Sequence, residues 1–214
     1  MRLKLLLSAV APAAVLAGAL LAMFAPAAQA QSLAGFVDAY YLPWTELKSK
    51  VEDDNGNSIS NTTDGDGYGV KGLLRLNENI AFDGEYQSAN YDGSADRDSY
   101  RAGAGYYWRY FGIAADYINE SVDDGTTSED ADGVGIYLRT SWLAIKGLAF
   151  TGAVGYVRLD RDGDTYDGLE YNVGLDVRLN DFLGLFADYR STDLSHSNFD
   201  LRLSDARAGL RLVF

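Results

Sequence analysis

The sequence predicts an all-β fold, an up-and-down antiparallel transmembrane β-barrel with ten strands as the expectation and eight as the alternative. Three observations predict it. Past residue 31 no apolar run is long enough for a membrane helix. In its place, period-two alternation recurs segment after segment, broken by Asp, Asn and Gly clusters. The chain also closes on a strand ending in an aromatic residue, Phe214.

The first element is an export segment, expected over 1–30, with the barrel over 31–214. Arg2 and Lys4 precede an Ala/Leu-rich run from Leu5 to about Ala25, and Ala28 and Ala30 form a small-residue exit before Gln31. A retained membrane anchor is the rival reading, and the Ala-x-Ala exit favours removal. This segment carries two basic residues and no acidic one, so its loss takes the formal charge from −13 to −15. So acidic a chain is a poor nucleic-acid binder. It has no cysteine, which excludes a lipoprotein anchor, disulfides and thiolate metal sites.

Ten strands are expected, at roughly 33–45, 67–76, 80–91, 99–109, 111–121, 133–143, 147–159, 168–179, 182–193 and 199–214. Each is about as long as a tilted membrane strand needs. The connections alternate in kind. Asn77-Glu78-Asn79, Arg109-Tyr110, Ala144-Ile145-Lys146 and Asn180-Asp181 read as tight turns. The stretches 46–66, 92–98, 122–132, 160–167 and 194–198 read as mostly longer, polar and acidic loops. Short turns on one side and long loops on the other are the pattern of an outer-membrane barrel.

The two faces differ in chemistry. Tyr68, Val70, Gly72, Leu74 and Leu76 oppose Lys71 and Arg75, and Leu169, Tyr171, Val173, Leu175, Val177 and Leu179 oppose Glu170, Asn172, Asp176 and Arg178. A soluble sandwich could use the same alternation. Aromatics near the strand ends (Trp108, Trp142 and Tyr189) favour lipid outside instead.

The ending Arg207-Ala208-Gly209-Leu210-Arg211-Leu212-Val213-Phe214 resembles the assembly signal of outer-membrane clients, carried here by Gly209, Leu210, Leu212 and Phe214. With the export segment and the alternation, the mature chain resembles the small outer-membrane β-barrel superfamily, the OmpA/OmpX-like group. That resemblance implies residence in the outer membrane, contact with lipid and lipopolysaccharide, and biogenesis through periplasmic chaperones and the barrel-assembly machinery. Leu201 and Leu203 are out of phase with Leu210–Phe214, for which a bulge near Ser204-Asp205 or an extramembrane strand start would account.

The inward faces predict a lumen charge network of Asp38, Lys71, Arg75, Asp83, Glu85, Arg101, Arg109, Asp116, Glu120, Arg139, Asp176, Arg178, Asp188, Arg190, Arg207 and Arg211. Neighbouring strands often carry opposite signs. A hairpin centred near Glu78 would set Lys71 across from Glu85, and barrel closure would set Arg207 and Arg211 beside Asp38. A small barrel is just wide enough for side chains to fill, and buried charges must pair. A plugged polar core with a structural or surface-interaction role is therefore expected, with a narrow channel for ions or small solutes as the alternative. Inward glycines such as Gly103, Gly105, Gly135 and Gly174 would make room for large neighbours.

A lipid-modifying enzyme is the third reading, with His196 as its only conceivable base and Asp193 nearby. Lipid A deacylases separate their His and Ser by one residue, whereas here His196 adjoins Ser195 and Ser197, so a strand would send them to opposite faces. Omptin barrels are considerably larger. No enzymatic activity, cofactor or metal is expected. Asp160-Arg161-Asp162-Gly163-Asp164 places Thr165 where an EF-hand needs Gly. The stretch 52–66 reads as a mobile surface loop, and the chain as a monomer with no further domain.

Overall fold

The computed structural model describes residues 34–52, 57–93, 95–123, 125 and 127–214; the expected export segment lies outside them. Ten strands follow in chain order: β1 (Ala34–Glu52), β2 (Ser58–Arg75), β3 (Ile80–Tyr91), β4 (Ala95–Tyr107), β5 (Phe111–Asp123), β6 (Ser128–Ile145), β7 (Leu148–Arg161), β8 (Asp164–Arg178), β9 (Leu183–His196) and β10 (Phe199–Val213). Each pairs antiparallel with its sequence neighbours, and β1 pairs with β10, so the sheet closes. Closure leaves no exposed sheet edge within the lipid layer, where an unpaired N–H or C=O has no water to turn to.

One end of the barrel carries the four expected tight turns. Asn77 Oδ1 accepts the backbone N–H groups of Asn79 and Ile80, both at 2.8 Å, and Asn180 does the same for Phe182 and Leu183 at 3.0 and 2.8 Å. β6 runs on through Ala144 and Ile145, which moves that turn to Lys146-Gly147, where Gly147 takes φ +86°. The seam closes at the same end, with Gly35 and Phe214 exchanging backbone hydrogen bonds at 3.0 and 3.1 Å.

The other end differs from expectation. The stretches read as long loops are mostly strand: β1 and β2 run through 46–52 and 58–66, β4 begins at Ala95, β6 at Ser128 and β8 at Asp164. Period-two alternation does persist there, but with its polarity reversed. Outside, Asp193, Ser195, Asp200 and Arg202 face solvent, while inside, Leu194 and Leu201 pack with Ile118, Val157 and Leu159, and Leu203 is buried. An apolar inside with a wet outside is the pattern of a water-soluble barrel. With no apolar outer face, such a stretch carries the composition of a loop.

This reversal also settles the phase of β10. Its ladder with β9 runs unbroken from Phe199↔His196 to Leu212↔Leu183, so no bulge lies at Ser204-Asp205. Leu201 and Leu203 share the inward face with Asp205, Arg207 and Arg211 in one regular strand that starts outside the belt. The bulge is in β1, where the register against both neighbours slips by one residue between Tyr41 and Thr45. Pro43 lies in that slip, a position where its missing N–H costs no ladder bond.

Between the two ends the outer surface is an apolar belt. Ile113, Val134, Ile136, Leu138, Val154, Val173, Leu210 and Leu212 are each about half exposed, far more than a soluble protein tolerates in one band. Aromatics bound it at the turn end, where Tyr106, Trp108 and Phe111 pack on one another and Trp142 on Phe150. At the other boundary the aromatics have polar anchors. Tyr41 donates to Asp66 at 2.8 Å, Trp44 to Asp64 at 3.1 Å, Tyr86 to Asp98 at 3.0 Å, and Tyr156 to Asp167. An amphipathic ring with its tip on a carboxylate suits a lipid–water boundary.

Candidate functional site

The lumen is filled from the wall inward in two layers. The layer nearer the turns is ionic. Arg211 forks onto Asp38 with two bonds of 2.8 Å and reaches Asp176 at 2.7 Å. Arg207 bridges Asp188 at 2.5 Å and Glu85 at 2.6 Å. Arg139 joins Asp83 at 2.8 Å to Asp116 at 2.5 Å, and Arg101 forks onto Glu170 at 2.8 and 2.9 Å. Tyr40 donates to Glu85 at 2.6 Å. Each cation bridges carboxylates from two strands or locks one across the lumen, the geometry that offsets the desolvation of buried charge.

The second layer is a knot around Asp205. This carboxylate accepts from Thr45 at 2.6 Å, Gln87 at 3.1 Å, Arg97 at 2.9 and 3.0 Å, and Arg190 at 3.2 Å. Asp205, Arg97, Gln87 and Thr45 are all at most 2% exposed. Above the knot sits the apolar cluster of Ile118, Tyr137, Val157, Leu159 and Leu194, with Leu201 and Tyr166 against it.

Glycines make this filling possible. Tyr40 stands opposite Gly69 on β2 and Gly209 on β10. Tyr137 leans over Gly135 and Gly155, where a Cβ at Gly155 would come within 2.6 Å of its ring. Tyr107 covers Gly105 and Gly112 in the same way. Cavities remain. One of about 360 Å³ opens at the turn end and is lined by Arg75, Tyr107, Arg139, Thr151, Asn172 and others. A much smaller one, about 60 Å³, lies among Leu47, Leu159, Leu194 and Leu203 at the far end.

Of the expected lumen charges, Asp38, Lys71, Asp83, Glu85, Arg101, Asp116, Glu120, Arg139, Asp176, Asp188, Arg190, Arg207 and Arg211 come together in the interior. Three stand apart. Arg109 is exposed in the β4–β5 turn with its guanidinium 4.9 Å from the Tyr110 ring. Arg178 is exposed and bonds the carbonyls of Asn180 and Asp181, which caps the β8–β9 turn. Both sit at strand ends, where alternation no longer dictates direction. Arg75 lines the open cavity, 5.3 Å from the Tyr107 ring, without a carboxylate partner among the described residues.

The Lys71↔Glu85 register is as expected, but the ion pair is not. Lys71 reaches Asp188 at 2.8 Å across the lumen, its Nζ 4.0 Å from the centre of the Phe186 ring, because Arg190 and Arg207 already occupy Glu85. Arg97, Glu170 and Asp205 join the network without having been placed in it. Arg97 and Asp205 lie in stretches read as loop or out of phase. Glu170 was on the inward face all along, and its alternation could have found it.

His196 lies at the rim on the inward face. Its Nδ1 is 2.7 Å from the Thr165 carbonyl and its Nε2 is 3.8 Å from Asp164. Asp193 points outward to Arg202, so it does not orient the imidazole.

Comparison with known structures decides the fold. No protein-family model matches the chain, and none of the curated proteins does. The Escherichia coli outer membrane protease OmpT superposes with a TM-score of 0.51 at 10% identity, over 87% of this chain and 99% of that one. The chain has the fold of an outer-membrane β-barrel. Neisserial surface protein A (TM-score 0.43, 15% identity, 84% of this chain and 97% of the other) and a COG4313 outer membrane channel from Pseudomonas putida F1 (0.48, 11%, 86% and 96%) also align with the outer-membrane barrel. Identities this low speak to fold alone.

Proposed function

We propose that this outer-membrane barrel is closed to solutes, serves as a structural element of the membrane, and carries its interactions on the strands that project beyond the belt. The observation behind this reading is the Asp205 knot with the apolar cluster above it. Together they set a charged and an apolar layer between the open cavity and the small cavity near the far rim, which supports a closed lumen. The barrel has no catalytic role in this reading. Its lipid-facing strand β10, with Leu210 and Leu212 outward and Phe214 at the seam, engages the assembly machinery, and the folded barrel is a monomer among lipid and lipopolysaccharide.

A narrow channel is the second reading, favoured by the cavity of about 360 Å³ that already opens one half of the lumen. Planar-bilayer recording separates the two. The closed reading expects no stepwise current from correctly folded protein, identified by a heat-dependent gel shift. Stable unitary steps would establish the channel and make Arg101, Glu170 and Asp205 its constriction.

A further inference from the structure

The longest hairpin carries an unpaired strand edge. The β1–β2 ladder continues outward to Glu52↔Ser58, but the outermost β2–β3 pair is Gly65↔Tyr91, because the β3–β4 hairpin turns back there. Among the described residues, Ser58–Thr63 are therefore paired on one side only. The direction of their backbone groups follows from one bond, in which the Asp64 carbonyl accepts the Asp92 N–H at 2.9 Å. With a two-residue period, Thr62, Ser60 and Ser58 present their N–H and C=O to the same open side. Thr63, Asn61 and Ile59 turn theirs to β1.

Natural proteins blunt such edges with Lys, Pro, a bulge or a covering segment. Ser58-Ile59-Ser60-Asn61-Thr62-Thr63 has none of the residue-level devices, and its register with β1 is regular there. All but the half-buried Thr63 are exposed, Ile59 at 78%. The groups flanking the open side are acidic: Asp64 and Asp66 below it, and Asp92, Asp96 and Asp98 on the β3–β4 hairpin.

We propose that this edge binds an extended, basic segment of a partner polypeptide by β-strand addition, with the backbone of Ser58, Ser60 and Thr62 supplying the ladder and the neighbouring carboxylates selecting charge. A second copy in the same membrane is a poorer occupant. Both barrels would run β2 in the same direction, which excludes the two-fold antiparallel pairing that joins identical edges. The proposal rests on the surface-interaction part of the reading above. It is independent of whether the lumen conducts.

The probe is a fluorescent decapeptide of alternating Lys and Thr, titrated by anisotropy into refolded barrel in neutral detergent at low salt. Saturable binding is expected, weakened at least tenfold in the Ser60→Pro/Thr62→Pro double variant, which removes two free donors and spares the β1 ladder. Thr62→Val, which keeps the N–H, should bind as the parent does, and an alternating Glu–Thr decapeptide should bind at least tenfold more weakly. Hydrogen exchange on the unaltered protein should slow at Ser60 and Thr62 when the Lys–Thr peptide is added, a readout that does not depend on the proline variant folding. Absence of binding, equal binding to the double variant, equal binding of the Glu–Thr peptide, or unchanged exchange at Ser60 and Thr62 would each overturn the proposal. A silent lumen with no peptide binding would remove this inference and leave the closed-barrel reading standing.

Discussion

Asp205→Ala is expected to destabilise the folded barrel by about 3–5 kcal/mol, the range for removing one partner of a buried ion pair. Asp205 is the shared acceptor of Arg97 and Arg190, both at most 5% exposed. Its loss leaves Arg97 facing Glu120 at 3.8 Å and Arg190 held by Glu85 and Gln87 alone, and Thr45 and Gln87 lose an acceptor as well. Asp205→Asn keeps the shape but not the charge and should fall between the parent and the alanine variant. Denaturant titration in lipid vesicles, read by the gel-shifted folded band, measures both. A midpoint unchanged in Asp205→Ala would mean that the knot contributes no net stability.

Tyr137→Ala should cost about 3–5 kcal/mol, as deletion of a large buried aromatic does. Tyr137 is 3% exposed and belongs to the apolar cluster, while its hydroxyl lies 3.3 Å from Arg101 Nη1. It thus joins the apolar cluster to the ionic layer. Its ring supplies the nearest side-chain atoms to both Gly135 and Gly155 beneath it. The same variant should admit a small ionic current that the parent lacks, because it joins the open cavity to the upper lumen. The reverse change, Gly155→Val, should cost about 1–3 kcal/mol by overpacking against the same ring. The two effects together test whether glycine and tyrosine act as one fitted unit.

Much of this was legible in the residues. Ten strands, their order, the tight turns at Asn77–Asn79 and Asn180-Asp181 and most of the inward charges follow from alternation, since a strand's two faces leave only two choices for each side chain. Two things did not follow. Alternation fixes which residues share a face but not which face meets lipid, so the reversal of polarity beyond the Tyr41 and Trp44 level hid Arg97 and the starts of β2, β6 and β8. Register also does not fix ion pairs in a narrow lumen. Lys71 and Glu85 are direct neighbours on adjacent strands, yet each prefers a partner across the barrel, because the far wall is within reach of long side chains and the arginines compete more effectively for Glu85.

One set of strands is apolar on its outer face in the middle of the barrel and polar there at its far end. β6 carries its own depth scale, with Asp132, Val134, Ile136 and Leu138 in sequence on the outer face. The most direct measurement is an arginine scan of these four positions in refolded barrel, with unfolding free energy measured in vesicles. Leu138→Arg and Ile136→Arg should each cost about 2–4 kcal/mol, as at a bilayer midplane, Val134→Arg less, and Asp132→Arg about 0–1 kcal/mol. A flat profile, or a cost at Asp132 equal to that at Leu138, would contradict the placement of the belt and with it the reversed polarity above.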